Sequence, residues 1–275
     1  GTDPKTGYHF VDLEKRVEDC GSVRELMELY KQTLDYFMGL QVETEHINDE
    51  IHIQQDINAF RSSLVYDCIE RAMDLVEGGS VYSADGGPTA GTISAGDSLA
   101  ALDEIVFNQK LLTMEQVLHA MSTNYEDMET VPAGPEIRAI LLNKAPKFGN
   151  DDERADKWVV ELEDYIGSSY RYKYRSSKYG KGPVPCCYSY SQSPVTGNIA
   201  FGKSIGATPD GRKDGQPVNN GISPANGSEK KGATAACNSV MKLPSIWFQK
   251  GAIFNMRLSK GALDTDENKE KVIAM

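Results

Sequence analysis

The chain has 275 residues, 40% of them hydrophobic, which is enough apolar surface for one large domain or two ordinary ones and excludes a disordered or fibrous protein. The formal net charge of −11 argues against nucleic acid or an anionic membrane as the main partner, and no apolar run approaches the roughly 18 residues of a spanning helix. Five cysteines, an odd and sparse set, indicate a reduced cytoplasmic protein rather than a disulfide framework.

The first part of the chain, about residues 1–167, carries the apolar spacing of amphipathic helices. A capping box beginning at Ser22 predicts a long helix that continues into the acidic 43–50 region, and a second capping box begins at Thr113. Another helix is predicted from Arg61 to the glycine pair at 78–79. Further helix starts are predicted at Ser94, near Pro135 and at Asn150.

The second part, about residues 168–263, contains short apolar runs that predict strands. These runs are 184–190, 198–201, 233–240 and 252–258. The stretch 202–244, which contains the third of these runs, is rich in Gly, Pro, Asn and Asp, the residues that form turns, and is predicted to be a long loop. Because apolar segments flank this loop, we expect it to be ordered. Within it, Thr208-Pro209-Asp210-Gly211-Arg212 predicts a tight turn in which Pro fixes φ and Gly adopts the left-handed conformation.

Other patterns give little support for metal, nucleotide or nucleic-acid sites. The histidines are scattered, with His46 and His52 six apart rather than at zinc-site spacing, and no Walker loop or GxGxxG occurs. The basic and aromatic segment 170–175 is interpreted as a helix end because the whole chain is acidic. A missing initiator Met and an amphipathic pattern that has only begun at 271–275 lead us to expect a fragment of a longer protein.

Several sequence blocks, taken together, resemble the glycyl radical enzymes, the pyruvate formate-lyase family. The blocks are FRSSL (60–64) with DCIE (67–70), AGDSLAA (95–101), LNKAPKFGNDD (142–152), GATPDGRKDGQP (206–217), GISPANG (221–227) and KKGATAACNSVMKLP (230–244). They occur in the family's order and span nearly the whole chain. The resemblance implies an α/β fold, in which residues 1–275 form part of a ten-stranded β/α barrel of two antiparallel half-barrels with surrounding helices.

The resemblance also implies a function and a set of site residues. The parent protein would be a lyase or dehydratase that cleaves a C–C, C–O, C–N or C–S bond of a small substrate after hydrogen abstraction by a thiyl radical. Substrate-binding residues would be Tyr188, Tyr190, Ser191 and Gln192, although an ordinary alternating strand explains the same residues. The turn Thr208-Pro209-Asp210-Gly211-Arg212 would brace the barrel and help to seat the segment that carries the radical glycine.

No bound cofactor or metal is implied. In the parent, a separate radical-SAM activating enzyme with an iron–sulfur cluster would install the glycyl radical, and the family is commonly dimeric. The chain has no Arg-Val-Ser-Gly-Tyr-like glycine motif, and Cys186-Cys187 lies downstream of the position expected for the thiyl cysteine. We therefore predict no catalytic residue here and no activity for residues 1–275 alone. The alternative is a non-catalytic structural or binding module derived from such a barrel.

Overall fold

A computed structural model of the chain describes residues 1–3, 6–81, 86, 89–174, 190–192 and 196–274. These residues form helices and loops, and among them there is no strand, only isolated bridges. The helices are α1 (Val23–Gln55), α2 (Ala59–Ser63), α3 (Cys68–Arg71), α4 (Thr92–Ala101), α5 (Met114–Ser122), α6 (Gly134–Asn143), α7 (Glu153–Ser168), α8 (Gly197–Ser204), α9 (Ala233–Met241) and α10 (Asp266–Ile273). π-Helical segments continue α4 as Leu102–Asn108 and α7 as Ser169–Lys173.

Both helix starts predicted from capping boxes form, and the reciprocal box is complete at α5. The Ser22 side chain accepts a hydrogen bond from the Glu25 N–H, and α1 runs for 33 residues through the acidic region. At α5, Thr113 and Gln116 cap each other reciprocally at 3.2 and 2.9 Å. In both cases the side chains satisfy N–H groups that have no partner within the helix, so a local signal was sufficient.

The largest cluster of buried apolar side chains lies between the first half of α1 and helices α4 to α7. A second cluster joins the later part of α1 to the end of α7 and includes Tyr190. A third joins α4 and α7 to the long loop and consists of Ile93, Phe148, Val159, Ile222 and Leu243. Helices α4 and α7 therefore form the centre of the described structure, with α1, α5, α6 and the long loop packed around them.

Helices α4 and α7 approach each other closely because position 96 carries no side chain. A Cβ at Gly96 would lie 2.3 Å from Val159 Cγ2 and 3.1 Å from the Val159 backbone. Four residues earlier on α4, Thr92 meets Glu163, which lies four residues later than Val159 on α7. The two helices are thus antiparallel, with Gly96 opposite Val159 and Thr92 opposite Glu163.

Three predicted helix boundaries differ from the structure. The helix predicted from Arg61 to residue 78 is broken into α2, α3 and a 3₁₀ turn, because Asp67 and Ala72 adopt positive φ of 80° and 51°. Helix α4 begins after Gly91 rather than at Ser94, whose N–H and hydroxyl instead contact Asn219. Asp152, not Asn150, caps α7, and the Asn150 side chain bonds the 228–231 segment.

Two predicted strands are helices. Residues 198–201 lie in α8 and residues 233–240 lie in α9. In short apolar runs, periodicity does not distinguish a buried strand from a helix. The alanines of α9 favour a helix, because Ala has the highest helix propensity of any residue. In the predicted strand 252–258, only Ala252 forms a bridge among the described residues. The predicted run 184–189 lies outside the described residues, and with it Cys186, Cys187 and Tyr188.

The long loop is ordered through 205–232 and partly buried, as predicted, with Asp210, Arg212, Asn219 and Ile222 among its buried residues. Its first and last turns belong to α8 and α9, so it is shorter than the 202–244 span of the sequence prediction. In the described part of the chain, no helix combines the length and hydropathy needed to cross a membrane.

Candidate functional site

Three of the four residues predicted to bind substrate lie in one short segment: Tyr190, Ser191 and Gln192. The fourth, Tyr188, lies outside the described residues. The Gln192 N–H donates to the Gly251 carbonyl at 3.2 Å, and its carbonyl accepts from the Ile253 N–H at 3.0 Å. All three residues of the segment are buried, so their side chains are parts of the interior.

The side chains of Tyr190 and Gln192 meet a carboxyl group of α7. The Tyr190 hydroxyl donates to Glu163 Oε2 at 2.5 Å, and Gln192 Nε2 lies 2.9 Å from Glu163 Oε1. The same Nε2 is 2.7 Å from Thr92 Oγ1 and 2.7 Å from the Tyr190 hydroxyl oxygen. We call these four side chains, Thr92, Glu163, Tyr190 and Gln192, the Glu163 network.

Burial favours the neutral form of the Glu163 network. Glu163 is fully buried, and no ion pair involves it among the described residues. Burial raises the pKa of Glu163 to about 8, and the hydrogen bonds from Tyr190, Gln192 and Thr92 only partly oppose this. Burial also raises the pKa of Tyr190 well above its ordinary value, and Glu163 adds to the effect. In this neutral form the side chains of the network make hydrogen bonds, but none of them carries a charge.

The turn Thr208-Pro209-Asp210-Gly211-Arg212 forms as predicted. The Gly211 N–H donates to the Thr208 carbonyl at 3.0 Å, and Gly211 has a φ of +93°, in the left-handed region that favours glycine. A Cβ there would lie 2.8 Å from Leu142 Cγ on α6. The Thr208 hydroxyl donates to Asp210 Oδ1 at 2.5 Å. The geometry of the turn is confirmed, and its bracing role stays a prediction.

The buried Arg212 side chain holds the loop together through main-chain oxygens. Its two Nη atoms donate to the carbonyls of Ile205, Gly206, Lys213 and Gln216. Two cations fix the turn from outside the loop: Arg138 Nε donates to the Gly211 carbonyl at 2.9 Å, and Lys147 Nζ donates to the Asp210 carbonyl at 2.7 Å. Buried carbonyls that would otherwise be unpaired are thus satisfied by charged donors.

A polar cavity of about 370 Å³ borders this turn, and its lining includes Asp97, Lys147, Asp210 and Arg212. We call it the Asp97 cavity. Asp97 is fully buried; its Oδ1 accepts from the Phe148 N–H at 2.7 Å, and its Oδ2 has no hydrogen-bond partner in the described part of the chain. Burial raises the pKa of Asp97 to about 7, and the positive charge of Lys147 opposes the rise.

Helix α4 joins the two regions, since Thr92 belongs to the Glu163 network and Asp97 to the Asp97 cavity. Five positions separate these residues, or about 7.5 Å along a helix axis. The structure therefore brings Tyr190 and Gln192 together with Glu163, and the predicted turn together with Asp97. Neither group forms a metal site: no cluster of three or more His, Cys, Asp or Glu side chains occurs among the described residues.

The sequence analysis did not single out Glu163, Asp97 or Lys147 as site residues. A signal for Glu163 was present, because this acid lies on the same helical face as Val159 and Ile166, within the apolar stripe of α7. No comparable signal marks Lys147, whose Nζ bonds the Asp210 carbonyl 63 positions later in the chain.

Two protein-family models match this chain. Residues 1–201 match the model described as pyruvate formate lyase-like, and residues 218–275 match the model described as glycine radical. The chain therefore belongs to the pyruvate formate lyase-like family of glycyl radical enzymes, as the sequence blocks indicated.

Within this family the chain is similar to dehydratases. It is 31% identical to the probable dehydratase YbiW of Escherichia coli K12 over 278 residues, which is 100% of the chain and 34% of that protein. The crystal structure of hydroxyproline dehydratase from Clostridioides difficile with bound trans-4-hydroxy-L-proline matches with a TM-score of 0.88 at 28% identity, covering 100% of this chain and 33% of that one.

A third similar protein is the B12-independent glycerol dehydratase of Clostridium butyricum in its glycerol-bound form. It matches with a TM-score of 0.84 at 32% identity, covering 94% of this chain and 31% of that one. The chain thus spans about a third of the length of these relatives. This share is compatible with the expected fragment, and the shared fold is consistent with part of a β/α barrel.

Proposed function

We propose that residues 1–275 are part of a glycyl radical dehydratase that eliminates water from a small hydroxyl-bearing substrate. The observation that supports this is the similarity to a probable dehydratase and to two solved dehydratases over 94% or more of the chain. Cleavage of a C–C, C–N or C–S bond is the alternative within the family. In this proposal a radical passed from a backbone glycine to a cysteine supplies the hydrogen abstraction, and water then leaves the substrate radical.

The proposed role of this chain is to form one wall of a ten-stranded barrel of two antiparallel half-barrels. Tyr188, Tyr190, Ser191 and Gln192 would contribute hydroxyl and amide groups that orient the substrate inside an otherwise apolar interior. The turn Thr208-Pro209-Asp210-Gly211-Arg212 would brace the wall and seat the glycine segment. The four hydrogen bonds from Arg212 to main-chain carbonyls support a rigid rather than a mobile turn. A closed interior would protect a radical from water and oxygen.

We place the radical glycine and the thiyl cysteine outside residues 1–275, so this portion alone would be inactive. A radical-SAM activating enzyme is the proposed source of the radical. The absence of an Arg-Val-Ser-Gly-Tyr-like motif from the sequence supports this placement. A cytoplasmic homodimer is the proposed state of the full-length protein.

The test is anaerobic co-expression of the full-length protein with its activating enzyme, followed by electron paramagnetic resonance and turnover assays. We expect a glycyl doublet and dehydration of glycerol or trans-4-hydroxy-L-proline. A doublet with turnover of a sulfonated or aminated substrate alone would replace dehydration by C–S or C–N cleavage. A full-length protein that gives no doublet after activation would contradict the enzyme and favour a non-catalytic module.

A further inference from the structure

Glu163 is an unexpected residue for its place on α7. It shares the buried face of the helix with Val159, Leu162 and Ile166, where an apolar side chain would pack without cost. A buried carboxyl with no paired cation among the described residues is costly unless it is neutral and hydrogen-bonded. Both conditions hold here, because burial favours the protonated form and the neighbouring side chains supply the bonds.

The contacts of Glu163 converge on the segment 190–192. One carboxyl oxygen accepts from the Tyr190 hydroxyl at 2.5 Å, and the other lies 2.9 Å from Gln192 Nε2. The Tyr190 ring stacks on Tyr170, with centroids 6.1 Å apart, and packs against Phe248 at 5.7 Å. These contacts hold the ring of Tyr190, and the hydrogen bond to Glu163 fixes its hydroxyl group.

The same network fixes the direction of the Gln192 amide. Its nitrogen carries two hydrogens and faces three oxygens, from Thr92, Glu163 and Tyr190, all within 2.9 Å. Its oxygen, Oε1, is thereby turned away, is buried, and has no hydrogen-bond partner in the described part of the chain. Unpaired buried acceptors are rare, and this one belongs to a residue of the proposed substrate pocket.

We propose that Glu163 is a positioning residue, which holds Tyr190 and Gln192 so that the Gln192 carbonyl oxygen can accept a hydrogen bond from the substrate. The inference rests on the proposed function, since it takes the segment 190–192 as part of the substrate pocket. It adds a requirement on the substrate, which must carry a hydroxyl or ammonium donor for this oxygen. Glu163 itself does not touch the substrate.

Three variants of the full-length enzyme test this role. Glu163→Gln keeps the shape and polarity of the neutral side chain, whereas Glu163→Met keeps its length and removes its hydrogen bonds. Val159→Ala is the matched control, because it removes apolar contact between α7 and α4 one turn away and keeps every hydrogen-bonding side chain of the network. With glycerol or trans-4-hydroxy-L-proline as substrate, we expect KM within about threefold of wild type for E163Q and V159A. For E163M we expect KM to rise about tenfold or more, with a smaller change in kcat.

The role is overturned if E163M keeps the wild-type KM, if E163Q loses as much as E163M, or if V159A raises KM equally. Absence of turnover by the wild-type enzyme would instead count against the proposed function. Hydrogen exchange of the peptide that contains residues 190–192 would then decide the positioning role. Protection lost in E163M and kept in E163Q and V159A supports it, and equal protection in all three variants overturns it.

Discussion

The Glu163 network and the Asp97 cavity both bury a carboxyl completely, but they compensate for it differently. Around Glu163, neutral hydroxyl and amide groups donate hydrogen bonds to both oxygens. Beside Asp97 there is one N–H donor, the charge of Lys147 and a cavity of about 370 Å³. The pKa is raised to about 8 in the first case and about 7 in the second. Burial sets the direction of the pKa shift of both carboxyls. The neighbouring groups then decide how close each pKa lies to physiological pH.

The largest effect is expected from Glu163→Gln, measured as the pH dependence of unfolding. The unfolded chain loses this proton near pH 4.5 and the folded chain near pH 8, so the wild-type protein loses stability as pH rises between these values. The variant does not titrate. We therefore expect its free energy of unfolding, relative to wild type, to increase by about 3–4 kcal/mol from pH 4 to pH 8.

Chemical denaturation at pH 4, 6 and 8 measures this change. Glu153→Gln is the matched control, since Glu153 lies on the same helix with its side chain 73% exposed. A constant offset between E163Q and wild type at all three pH values would show that Glu163 is ionised in the folded protein.

The second effect concerns the wall of the Asp97 cavity. Arg212→Lys replaces a planar donor that reaches four main-chain carbonyls by one ammonium group that cannot reach them all. We expect a loss of about 2–3 kcal/mol in the free energy of unfolding, because carbonyls of the loop stay buried without partners. The neighbouring Lys213→Arg is the control. A loss below that of K213R would mean that water replaces the guanidinium and that the loop is not rigidly held.

The smaller of the two pH effects sharpens the comparison between the carboxyls. Asp97→Asn removes the titration between pH 4 and 7, but it also takes away the negative charge that faces Lys147. The pKa of about 7 already includes the attraction to Lys147, so we expect the free energy of unfolding of D97N, relative to wild type, to increase by about 3 kcal/mol from pH 4 to pH 7. No gain of D97N over wild type between pH 4 and pH 7 would show that Asp97 is ionised in the folded protein over this range.

Local signals in the sequence were sufficient for some elements and insufficient for others. Ser22 and Thr113 form their capping bonds with residues three positions away, so these helix starts depend only on neighbours in the chain. The short apolar runs in α8 and α9 allow either strand or helix. Their state depends on contacts made elsewhere, such as the close approach of Gly202 to the Gln216 carbonyl.

The candidate site likewise has one part that the sequence predicted and one part that it did not. The turn at 208–211 was predictable because Pro209 and Gly211 restrict and permit particular φ values by themselves. The partner of Tyr190 and Gln192 was not, because Glu163 reaches them only after α7 has packed against α4. Lys147 is likewise a buried residue whose role depends on a carbonyl 63 positions later in the chain.

The close contact at Gly96 has a consequence for how the two regions respond to change. Because the Val159 side chain and backbone occupy the space that a Cβ would need, α4 and α7 leave no room for a side chain at position 96. A methyl group at position 96 would wedge the helices apart, lengthen the reach from Thr92 to Glu163 one turn away, and displace Asp97 from the Phe148 N–H. Gly96 thus permits the close helix contact beside which Thr92 meets Glu163.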